Sequence, residues 1–226
     1  MKEYIKASLN QPSNKEYFLY HIPIKVVHPF TTYINLDRII KTLENLIPQI
    51  LFYDVEILYV AYIKDFIRNG RTFNAMYENG AIYISPDQDN EKDLLDDIVH
   101  ETAHSLENKH QKIIYGGSDL EREFLAKRQT LYHLLEDKRI DKKMWINPLY
   151  SAKFDEYLYN TVGYDKLRIV SSGLFYSPYA ITSLREYWAN GFENYILGDK
   201  QLLKDLSPIL YNKLVLLFEE AKIRRI

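Results

Sequence analysis

The chain has 226 residues, 46% of them apolar and 27% charged, with a formal net charge of −2 and no cysteine. This excludes a disordered chain and, without a basic cluster, a nucleic-acid footprint. It also excludes disulfides, thiolate metal sites and cysteine nucleophiles, and no segment is apolar enough to cross a membrane.

Residues 1–20 are polar, and Met1 to Lys6 lacks the apolar core of a signal peptide, so the expected location is cytoplasmic. From Phe18 to Phe30 a loose alternation interrupted by Pro23 and Pro29 predicts one or two strands of edge character. His21 and His28 lie there without helical partners and read as structural or exposed. Asn35 can cap a helix from Leu36, with Ile39, Ile40, Leu43 and Leu46 on its apolar side and Pro48 at its end.

The β-rich run 55–63 reads as a central strand, and Asn69-Gly70 and Asn79-Gly80 are tight-turn signals. Strands are predicted over 73–77 and 81–85, the second stopped by Pro86. The acidic stretch 87–93 opens a helix, and from there the pattern is helical, notably over 120–135, over 183–197, and after Ser207-Pro208. The expected architecture is α+β: a small, mostly antiparallel sheet followed by a helical C-terminal lobe. It forms a single domain over 1–226, divided into an α/β lobe, 1–88, and a helical lobe, 89–226.

His100-Glu101-Thr102-Ala103-His104 is a His-Glu-x-x-His sequence. On a helix, residues four apart share a face about 6 Å apart along the axis, so two imidazoles can aim at one zinc ion. Glu101, one residue round, is placed to reach a metal-activated water and act as general base in peptide hydrolysis.

A catalytic zinc takes three protein ligands, and three residues compete for the last place. His110 occupies the third-histidine position of a metzincin, but Glu107 stands where that pattern needs a helix-breaking glycine. The helix is therefore expected to continue and turn His110 away, and Met144 is the one downstream methionine available for a Met-turn. Glu123, separated from His104 by eighteen residues, has a thermolysin-like spacing but is followed four later by Lys127. Glu186 is the third, although Ser183-x-x-Glu186 also reads as a capping box.

Tyr179, then Glu186 seven residues on, followed by Tyr187, Trp188, Ala189 and Phe192, resembles the second half of the zinc site in anthrax-lethal-factor-like metallopeptidases. That group includes the clostridial Pro-Pro endopeptidases. The resemblance covers roughly residues 81–110 and 176–197. It implies a zincin-like fold with His100, His104 and Glu186 as zinc ligands, Glu101 as general base and Tyr179 as oxyanion donor, with Tyr176 as its substitute. Asn190 stands where many members carry an acidic residue.

The expected partner is a peptide or protein substrate, laid extended along strand 81–85 as an edge beside the cleft. No nucleic-acid or membrane partner is expected. Alternatives from other classes are a repressor-cleaving regulatory metalloprotease, a non-catalytic zincin-fold protein with a structural or partner-binding role, and a purely structural zinc site.

Overall fold

The computed structural model describes residues 15–68, 71–135 and 139–223, and they form two compact units, Met1–Ser105 and Leu106–Ile226. The boundary follows the motif helix, whereas the sequence suggested a division before it, at 88. The Asn69-Gly70 signal lies outside the described residues. Among those described, no helix is long and apolar enough to cross a membrane.

The first unit is built on a five-stranded sheet. Its strands are β1 (Tyr17–Leu19), β2 (Ile22–Val26), β3 (Ile57–Val60), β6 (Ala75–Glu78) and β7 (Ala81–Ile84), and two-residue strands β4 (Ile67–Arg68) and β5 (Arg71–Thr72) pair separately. The order β1-β2-β3-β7-β6 puts β3 at the centre, as its β-branched run predicts. The sheet is mixed rather than mostly antiparallel: β2–β3 and β3–β7 are parallel, β1–β2 and β6–β7 antiparallel. Strand 81–84 is paired on both sides, so it is not the edge that the sequence suggested. Among the described residues, the outer strand on that side is β6.

Local chemistry explains the connections. Asn79 (φ 48°) and Gly80 (φ 83°) both take the left-handed conformation that a two-residue type I′ hairpin needs, joining β6 to β7. Helix α1 (Leu36–Leu46) starts at Asn35, whose side chain accepts from Arg38 N at 3.1 Å. Helix α2 (Glu91–Ser105) packs on β6 and β7. Asn90 Oδ1 accepts from Lys92 N and Asp93 N, so the cap is an amide within the acidic stretch.

The second unit is helical: α3 (Gln111–Ile114), α4 (Asp119–Leu135), α5 (Lys142–Trp145), α6 (Ala152–Glu156), α7 (Tyr164–Val170), α8 (Leu184–Leu197), α9 (Lys200–Leu206) and α10 (Pro208–Ile223). A π-helical turn, Tyr157–Val162, follows α6. Its core holds an aromatic cluster of Phe124, Phe175 and Tyr187, and Arg128 is buried with its guanidinium 4.2 Å from the Phe154 ring centroid. Helices α8 and α10 approach closely at Gly191, where a Cβ would stand 2.3 Å from Leu210 Cδ2.

Candidate metal centre

Helix α2 carries His100, Glu101 and His104 within its last two turns. The imidazole centroids of His100 and His104 are 5.0 Å apart, their planes at 79°. Val99, Thr102, Ala103 and Ser105 are buried around them, and Thr102 Oγ1 donates to Ile98 O at 2.7 Å, so the hydroxyls of this buried stretch return to the helix's own carbonyls. The helix ends at Ser105, earlier than the absence of glycine suggested, and passes into a turn that closes with His110 N on Leu106 O.

Glu186 lies in the first turn of α8, which begins at Ser183, whose hydroxyl accepts Glu186 N at 3.2 Å. The Ser183 half of the expected capping box is therefore formed. One ligand atom from each of His100, His104 and Glu186 lies within 4.8 Å of the others, and His104 and Glu186 are buried. Two imidazoles and a carboxylate make a donor set that could hold a metal ion. Asn190 is buried one turn further along α8.

The rival ligands are engaged elsewhere. Glu123 accepts from Tyr187 Oη at 2.9 Å, Ile209 N at 2.8 Å and Leu210 N at 3.1 Å, and so caps the start of α10. Lys127, on the same helix, donates to Leu174 O, Leu206 O and Ser207 Oγ. His110 Nδ1 lies 3.5 Å from Glu220 Oε2. Glu107 accepts from Tyr115 Oη at 3.0 Å and Arg185 Nε at 2.8 Å, which accounts for a carboxylate where a metzincin has glycine. Met144 lies in α5 and gives its carbonyl to Arg128. His21 meets Gln49 Nε2, and His28 accepts from Tyr62 N.

No family model, curated protein or solved structure matches the chain.

Tyr179 opens a short 3-10 turn, Tyr179–Ile181, and its hydroxyl is pushed well above the ordinary tyrosine range, first by burial and then by the charges of Glu186 and Asp155. It remains a neutral hydrogen-bond donor at any physiological pH. Tyr176, the substitute, donates instead to Asp199 O at 2.8 Å.

Glu101 is 8% exposed and accepts from Tyr77 N, on β6, at 2.7 Å. Sequence patterns have no signal for this, because the donor is main chain. One turn earlier, Asp97 accepts from Gln88 Nε2 at 3.1 Å, and burial pushes its carboxyl up to about 7. Tyr115 is likewise raised far above the tyrosine range by burial and by Glu107, with a smaller contribution from Glu186. No sequence motif singled it out.

Proposed function

We propose that the protein is a zinc-dependent endopeptidase with a zincin-like site. The observation that carries this reading is the His100, His104 and Glu186 trio, its ligand atoms within 4.8 Å of one another, with a buried Glu101 next to His100 on the same helix. Zinc held by the trio would supply Lewis acidity toward the scissile carbonyl and lower the pKa of water to about 7.

The chain's own residues do the rest. The Glu101 carboxylate takes a proton from the attacking water and returns it to the departing amine nitrogen. Tyr179, held neutral, donates its phenolic hydrogen to the carbonyl oxygen as negative charge develops there. A substrate strand would add to β6, the outer strand, rather than to 81–84.

The test is a quenched fluorogenic peptide library, with internal bonds only, offered to zinc-loaded protein and to Glu101→Gln. Cleavage by the first and not by the second is expected. Stoichiometric zinc without cleavage, or equal cleavage by both, would overturn the reading.

A further inference from the structure

Antiparallel strands joined by a turn alternate between residue pairs that exchange main-chain hydrogen bonds and pairs that do not. Around a two-residue turn the nearest pair, here Glu78 with Ala81, is of the exchanging kind. The next pair, Tyr77 with Ile82, is then not. The N–H and C=O of Tyr77 therefore point away from β7, toward the outer side of β6. That N–H meets Glu101 Oε2 at 2.7 Å.

The donor is firmly placed. Tyr77 Oη donates to Asp54 O at 3.1 Å, and Glu56 N donates to Gly80 O at 2.7 Å in the adjoining turn. A Cβ on Gly80 would stand 3.2 Å from Glu56 Cδ, so the turn sits tightly on its neighbour.

We propose that the main-chain N–H of Tyr77 is the positioning group for Glu101, holding Oε2 and leaving Oε1 as the oxygen that exchanges the proton. The hydrogen bond stands on its own geometry, and its catalytic consequence rests on the peptidase reading. The same bond removes the Tyr77 N–H from the donors that β6 offers to an added strand, so edge and base are coupled through one atom.

The experiment replaces Tyr77 by its α-hydroxy-acid analogue, which keeps the phenol and converts the N–H to an ester oxygen; Tyr77→Pro is the genetic counterpart. On a quenched peptide drawn from the library, kcat of the ester protein should fall by about 10–100-fold, as expected for a misplaced catalytic group. KM should stay within about twofold and zinc should remain stoichiometric, a split that simple destabilisation does not produce. An unchanged kcat in the ester protein with zinc bound would overturn the proposal, whatever Tyr77→Pro does.

A second readout needs no substrate. Amide hydrogen exchange at Tyr77 should be slow in wild type and in Glu101→Gln, whose side-chain carbonyl still accepts, and at least about tenfold faster in Glu101→Ala. Equal rates in wild type and Glu101→Ala would show that the bond is not made in solution. If the wild-type protein, zinc-loaded, cleaves nothing, the peptidase reading fails and takes the positioning role with it. The exchange data would still report whether the strand holds the carboxylate.

Discussion

Glu123 and Glu186 are both glutamates on long helices of the second unit, and both are placed by the sequence at plausible ligand spacings. Their surroundings separate them. The oxygens of Glu123 receive one hydroxyl and two helix-start N–H groups, so the charge is satisfied by the fold that it stabilises. Glu186 has its main-chain N–H capped by Ser183, and its carboxylate lies with two imidazole nitrogens. A buried carboxylate reads as a ligand by what its oxygens face, and spacing along the chain does not report that.

The sharpest way to break this comparison is to remove each carboxylate in turn. Glu186→Ala should lose zinc altogether in metal analysis by mass spectrometry, beyond the 10–100-fold that loss of an outer partner alone costs. Glu123→Ala should keep stoichiometric zinc but lose about 3 kcal/mol of stability in urea unfolding, because three donors lose a charged acceptor. The reverse pattern would move the site to Glu123. Glu101→Gln comes next, with zinc retained and kcat lowered by about 10²–10⁴-fold, the range for a lost general base.

What the sequence made legible was local. Asn35, Ser183 and the Asn79-Gly80 pair act on backbone groups within four residues, and each appears where its chemistry demands. The two motif histidines are legible for the same reason, since helical pitch alone brings them together. The sheet's edge was not. Strand 81–84 lies inside because residues 57–60 pair with it in parallel, an association across more than twenty residues that no local pattern encodes. Helix α2 ends at Ser105 with no glycine to stop it, and Glu107 just beyond accepts from Tyr115 and from Arg185, the latter 78 residues away, contacts that no local pattern encodes. The third ligand has the same character: only folding shows that Glu220 faces His110 and that α10 occupies Glu123.

Two tyrosines extend the comparison. Tyr179 feels the charge of Glu186, whereas the Tyr176 hydroxyl is already committed to Asp199 O. Tyr179→Phe should lower kcat by about 10²–10³-fold with zinc retained, as removal of an oxyanion donor does elsewhere. Tyr176→Phe should leave kcat in place and cost about 1 kcal/mol of stability. Equal kinetic effects in the two variants would remove Tyr179 from the mechanism.

The smallest expected effect asks whether the two glutamates are energetically separate. Gly191 lies in α8 one turn beyond Tyr187, against Leu210 near the start of α10 that Glu123 caps. In Gly191→Ala the new methyl meets Leu210 Cδ2 at 2.3 Å, and Leu210 is itself buried, so α10 or α8 must shift. Overpacking of this kind costs about 1–3 kcal/mol. If Glu186 is held by the Ser183 cap and its imidazole partners, the variant should unfold at lower urea yet bind zinc as tightly as wild type in competition with a chelator. If zinc affinity falls in step with stability, α8 moves as one body, and the Glu123 cap at its far side is part of what places the ligand.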